Sequence, residues 1–273
     1  MKNSTRVLLV AAVMFTFATI AAADHAWGDR HWARAQNPFP LELAENLPPV
    51  WDIHLNEASA DWNTPPIADP PIPTVVVTRI GTGNGSSRCL PTKGRVEICD
   101  GAGHKTLGAT RVWLSRTDHI EQAVITLSDY HLLSTWSKYN SPAWRQYVVC
   151  HEIGHTLGLD HQDEDINNAN LGSCLDYNED PDGTLANPDQ PANTQPNKHD
   201  FEELAKIYAH LDLFGSSSPQ ASSSSASASS NAKLENSSEW GKGIRQDARG
   251  RTNVFELDLG RGEKVVTYVL WAD

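Results

Sequence analysis

A chain of 273 residues has room for one medium-sized catalytic domain with small appendages, and its length does not force a second core. Its 34 acidic against 22 basic side chains leave a net charge of −12, and removal of Lys2 and Arg6 with a leader would take this to −14. A balance so acidic argues against a nucleic-acid partner.

In chain order, Lys2 and Arg6 precede an apolar run at 7–20 that ends in Ala21-Ala22-Ala23, the pattern of a signal peptide over 1–23. The run lies near the lower length limit for a bilayer span and ends in a processing-like site, so a cleaved leader is preferred to an anchor. The mature chain is therefore expected to be secreted, extracellular or periplasmic, and free of the membrane. Residues 24–48 hold Pro38, Pro40 and Pro48 without a sustained period and read as an N-terminal arm or short pro-segment. Residues 50–55 alternate as a half-buried strand would, and 56–62 suit a short helix before the Pro65-Pro66 break. Further strands are expected at 74–80, 94–99, 110–115 and 120–127.

Then the period changes. Ser141 before Pro142 is an N-cap residue followed by proline at the first helical position, and the helix it starts can run until Gly158. Residues 162–197 are rich in Asp, Asn, Pro and Gly and read as irregular. A last helix begins near Asn197, with Phe201, Leu204, Ala205, Tyr208 and Leu211 at core-facing spacing. It closes a domain expected at 49–214. A Ser/Ala-rich linker follows at 215–232, and the tail at 233–273 ends in a β-hairpin whose arms, 254–259 and 264–271, flank Gly260-Arg261-Gly262-Glu263.

The chemistry concentrates in His151-Glu152-Ile153-Gly154-His155-Thr156-Leu157-Gly158-Leu159-Asp160-His161. Helical positions four apart lie one turn above each other, so His151 and His155 can offer imidazole nitrogens to one metal ion. A third ligand six residues on requires the chain to turn, and Gly158 is where the backbone can leave the helix in a left-handed conformation, letting His161 swing back. Three neutral imidazoles leave one position of tetrahedral Zn²⁺ open, as in a catalytic site. Glu152 is placed as general base, and the reaction class is metal-assisted amide hydrolysis of a protein or peptide substrate.

At these residues the chain resembles the metzincin clan of zinc peptidases, whose long motif H-E-x-x-H-x-x-G-x-x-H is matched in full. Ser173-Cys174-Leu175-Asp176-Tyr177 is similar to the clan's S-x-M-x-Y turn except that Leu175 stands where methionine is expected. The only methionines are Met1 and Met14, so the mature chain has no Met-turn in the strict sense. Leucine is close to methionine in volume, and a hydrophobic floor beneath the metal is expected to survive. The resemblance covers about residues 50–213. It implies an α/β (α+β) zincin domain with a mixed twisted sheet, an active-site helix and a C-terminal helix. It further implies that Tyr177 stabilises the transition state through its hydroxyl. Residues 120–127 would be a sheet edge on which an extended peptide pairs, and 162–177 would line the pocket for the side chain beyond the cleaved bond.

Four cysteines allow three connectivities; Cys89 with Cys99, which closes a short loop, and Cys150 with Cys174, which staples the metal helix to a later turn, are preferred. The pairing leaves little room for Arg88-Cys89-Leu90-Pro91 to act as a matrixin-like cysteine switch. Asp163, Glu164, Asp165, Glu179, Asp180 and Asp182 could ligate Ca²⁺, although a solvated acidic loop accounts for them better. The other histidines show no ligand spacing among themselves apart from the neighbourhood of His25 and His31 in the arm, and surface or satisfied roles are expected for them. The expectation is thus a monomeric, secreted endopeptidase with one catalytic Zn²⁺, ligands His151, His155 and His161, and catalytic groups Glu152 and Tyr177. Two rival readings use the same metal: a zinc-binding interaction protein with little turnover, and a zinc amide hydrolase acting on cell-wall material. Glu152 weighs against the first, because a non-catalytic binder needs no base beside its metal.

Overall fold

The computed structural model describes residues 24–86, 88–101, 105–185, 190–213, 215 and 237–273. The leader at 1–23 and nearly all of the Ser/Ala-rich linker lie outside the described residues.

A two-residue strand β1 (His31–Trp32) leads into β2 (Phe39–Asn46), where Phe39, Leu41 and Leu43 point into the core and the residues between them outward. The segment read as an arm therefore supplies a strand of the central sheet. The strand expected at 50–55 is instead a 3₁₀ turn (Pro49–Trp51) followed by helix α1 (Asp52–Trp62). Its apparent alternation was incidental: Ile53 is 67% exposed, whereas Trp51, Leu55, Ala58 and Trp62 recur at helical spacing and are buried. The remaining strands fall close to their expected positions: β3 (Val76–Thr82), β4 (Val96–Asp100), β5 (Thr106–Leu114) and β6 (His119–Leu127). A single-turn α2 (Asp129–Leu132) precedes the long helix α3 (Pro142–Thr156), capped by the Ser141 hydroxyl, which accepts from the Trp144 amide. Helix α4 (Lys198–Ile207) starts in a reciprocal capping box between Asn197 and Asp200. The tail contributes β7 (Lys242–Gln246), β8 (Thr252–Gly260) and β9 (Glu263–Trp271).

These strands form one mixed sheet in the order β3-β2-β4-β6-β5-β9-β8-β7, with β1 beside β6. Strands β3, β2, β4 and β6 run parallel; β5 is antiparallel to β6, and β9 is antiparallel to β5. The fold is thus α+β. The edge role expected for 120–127 is corrected by this topology, because β6 lies inside the sheet between β4 and β5. The strand that faces the long helix is β5, whose nine residues are all buried.

Helices α1 and α3 pack on one face of the sheet over a core that includes Trp32, Trp51, Trp62, Tyr147 and Leu175. Both preferred disulfides are present, Cys89–Cys99 and Cys150–Cys174, as suits an oxidising compartment. Among the described residues, no helix is long and apolar enough to cross a membrane.

Gly158 ends the run of α3 at φ +95°, and a Cβ there would lie 2.2 Å from the Arg30 carbonyl oxygen. Both the left-handed backbone and the approach of the N-terminal arm demand glycine. Gly158→Ala is expected to destabilise the protein by about 1–3 kcal/mol, measured by urea denaturation; an unchanged midpoint would show that the arm yields freely.

Candidate metal centre

His151 and His155 project from the same face of α3, and the chain that turns at Gly158 returns His161 to them. All three rings are at least 95% buried, and their ligand atoms lie within 4.8 Å of one another. The hydrogen bonds of the far nitrogens set the tautomers. His151 Nδ1 donates to the Cys174 carbonyl at 2.7 Å and His155 Nδ1 to the Leu159 carbonyl at 2.9 Å, since a carbonyl can only accept. His161 Nδ1 meets the Glu164 carboxylate at 2.7 Å. Burial lowers the His151 pKa to about 4 and holds His155 and His161 well below the usual range, so each ring carries a single proton, on Nδ1.

Three bare Nε2 lone pairs therefore converge in a buried space. His151 Nε2 and His155 Nε2 stand 3.1 Å apart with no proton between them, and His161 Nε2 has no hydrogen-bond partner. Such an arrangement is repulsive unless a cation joins it. A tetrahedral ion with nitrogens at about 2.0–2.1 Å separates its ligands by about 3.3 Å, so the residues fit a single small metal ion.

Glu152 is fully buried, and its Oε2 accepts from the Thr110 hydroxyl of β5 at 2.6 Å. Its other oxygen, Oε1, has no partner. Burial raises its pKa to about 8 against the lowering influence of Thr110; a nearby dication would act in the opposite sense. A Cβ on Gly108 would sit 2.4 Å from Oε1, so β5 can pass this close to the carboxylate only with glycine there. Neither Thr110 nor Gly108 was identified from sequence, and nothing local marks them.

Tyr177 also reaches the site, with its ring centroid 4.6 Å from that of His161. Its hydroxyl donates to the Val269 carbonyl at 3.4 Å and accepts from Asn253 Nδ2 at 3.2 Å. A small cleft beside it is lined by Ile166 and Tyr177 from the 162–177 stretch and by Tyr139, Trp144 and Tyr147. Leu175, fully buried, packs under Gly154, where an added Cβ would come within 2.9 Å of its Cδ2. A buried leucine thus packs this turn against α3. Ser173 holds the turn to α4 by donating to Asp200 Oδ2 at 2.8 Å, while His25 of the N-terminal arm lies 2.9 Å from Asp200 Oδ1.

Of the acids weighed for Ca²⁺, Glu164 serves as the partner of His161. Glu179 faces Lys138 and Arg249, and Asp180 accepts from the Thr184 and Leu185 amides, so these side chains are spread over separate contacts. Another cluster, His31, His210 and Asp212, carries the Arg34 guanidinium 3.0 Å from Asp212 Oδ2.

No protein-family model matches the sequence, and no curated protein matches it. Among solved structures, that of myroilysin aligns with 65% of this chain and 96% of that chain, at 12% sequence identity and a TM-score of 0.34. The site is characterised by its own residues, as a group of three histidines able to hold a metal ion.

Proposed function

We propose that the chain is a zinc-dependent endopeptidase of metzincin type, with His151, His155 and His161 as ligands and Glu152 as general base. The observation that carries this reading is the convergence of three unprotonated Nε2 atoms beside a buried carboxylate with one free oxygen. When bound, zinc would supply a Lewis acid that polarises a peptide carbonyl and makes water easier to deprotonate. Glu152 Oε1 takes the proton from the attacking water and later delivers it to the leaving amine. Thr110 holds the carboxylate in one rotamer for both transfers. The Nδ1 partners Cys174 O, Leu159 O and Glu164 fix the three rings and raise their basicity as ligands. Tyr177 would donate its hydroxyl to an oxyanion once its contact with the Val269 carbonyl is released.

The test is metal stoichiometry together with prolonged casein hydrolysis. The purified full chain is expected to hold one zinc per molecule, to lose both zinc and hydrolysis with 1,10-phenanthroline, and to regain both on zinc addition. Absence of stoichiometric metal, or hydrolysis indifferent to the chelator, would overturn the proposal.

A further inference from the structure

Strand β5 is the part of the sheet closest to the candidate chemistry: Thr110 hydrogen-bonds Glu152, and Gly108 backs onto its carboxylate. An extended polypeptide led past Glu152 along this strand would pair with its outer backbone groups. In this chain those groups are already paired. Strand β9 runs antiparallel to β5 from Thr106↔Trp271 to Leu114↔Lys264 and places Tyr268 opposite Thr110.

Each tail strand also touches the metal centre or its support. From β9, the Tyr268 ring stacks on His155 at 4.1 Å between centroids and 9° between planes, and the Val269 carbonyl engages the Tyr177 hydroxyl. From β8, Asn253 Nδ2 donates to Tyr177 Oη and, at 2.9 Å, to Glu164, the carboxylate that orients His161. From β7, Arg245 pairs with Asp160 at 2.7 Å and lies over Trp27, whose ring meets Tyr268 edge-on. A tail that merely widened the sheet would need none of these contacts.

We propose that residues 242–271 are a built-in occupant of the peptide-binding edge, which keeps the candidate site shut until the tail is displaced. The inference rests on the peptidase reading. A segment tethered within its own chain acts at an effective concentration of about millimolar, so a free peptide at micromolar concentration competes poorly against it. The tether itself is the Ser- and Ala-rich sequence after α4, which by composition carries no core pattern to be broken when the tail leaves.

The experiment places a site-specific protease sequence between residues 221 and 230 and cuts the intact, zinc-loaded chain, leaving both pieces in solution. Cutting turns an intramolecular contact into a bimolecular one. On dilution to nanomolar concentration, the cut protein should gain roughly tenfold or more in specific activity on a quenched-fluorescent peptide. Hydrogen exchange at the β5 amides should quicken in parallel, and a synthetic 242–273 peptide should reverse both changes. The uncut chain should show neither. As a second arm, Tyr268→Ala in the uncut chain removes the ring over His155 and should raise kcat/KM several-fold.

Where the intact chain has measurable peptidase activity, the proposal is overturned if β5 loses protection without a gain in activity, or if Tyr268→Ala lowers activity. It is equally overturned if β5 stays protected while neither alteration changes turnover, because an occupant that never leaves is no reversible block. Inactivity of every form, with zinc bound and a fluorescent 242–273 peptide still captured by the diluted cut chain, would strike the peptidase reading and leave the occupancy standing.

Discussion

Glu152→Gln is expected to keep one zinc per chain and to lower kcat/KM on a fluorogenic peptide by about 10²–10⁴-fold. Glutamine matches the shape of the side chain, and its carbonyl oxygen can still accept from Thr110, so the loss isolates proton transfer from folding and metal binding. A linked effect has a definite sign. The buried Glu152 carboxyl titrates near 8 in the folded metal-free protein against a reference of 4.5, so the native state holds its proton more tightly than the unfolded chain. In the zinc-free protein this contribution to stability is fully present below about pH 4.5 and is lost as the pH rises towards 8. The glutamine variant lacks that loss, and zinc-free Glu152→Gln should therefore be more stable than zinc-free wild type at pH 8 by urea denaturation. Equal turnover in the two proteins would remove Glu152 as the base. Loss of zinc from the variant would make it a ligand instead.

His155→Ala carries the second large effect: zinc should no longer copurify stoichiometrically, and any peptide cleavage should fall to the level of the chelated protein. The variant also leaves the buried Leu159 carbonyl without its donor, a penalty of about 1–3 kcal/mol. Glu164→Gln separates the two causes. It keeps all three imidazoles and weakens the contact that orients His161, along with those of the same carboxylate to Asn253 and Arg245, so zinc affinity should fall by about 10–100-fold with the fold intact. A competition titration with a chromogenic chelator reads both variants. An unaltered zinc affinity in His155→Ala would refute the three-imidazole site.

The histidine cluster was legible because it is local. Two histidines one helical turn apart, a glycine that releases the backbone and a third histidine just beyond it all lie within eleven consecutive residues, and the structure brings their nitrogens together. Helix α3 was announced by Ser141 and Pro142, and the tail hairpin by its run of glycines. What stayed hidden depends on strand order. Thr110 is 42 residues from the carboxylate it holds, and Asn253 is 89 from Glu164. No spacing rule connects such pairs before the sheet is assembled. The same applies to the edge: 120–127 and the true helix-facing strand β5 are both apolar and β-branched, and only the pairing of β6 with β4 puts the former inside. Strand β2 was obscured by Pro38 and Pro40, which mask the alternation of Phe39, Leu41 and Leu43.

The Cys150–Cys174 cystine couples two events usually regarded as separate. One half precedes His151 in α3, while the other contributes the carbonyl that receives the His151 proton. Before that bond forms, the two cysteines are 24 positions apart along a chain that is irregular beyond Thr156, and the first imidazole has no fixed acceptor to aim it. On the proposed reading, maturation of the candidate metal centre should therefore wait on thiol oxidation: a freshly made chain surrounded by glutathione would bind zinc loosely, and competence would be acquired only where sulfur can be oxidised.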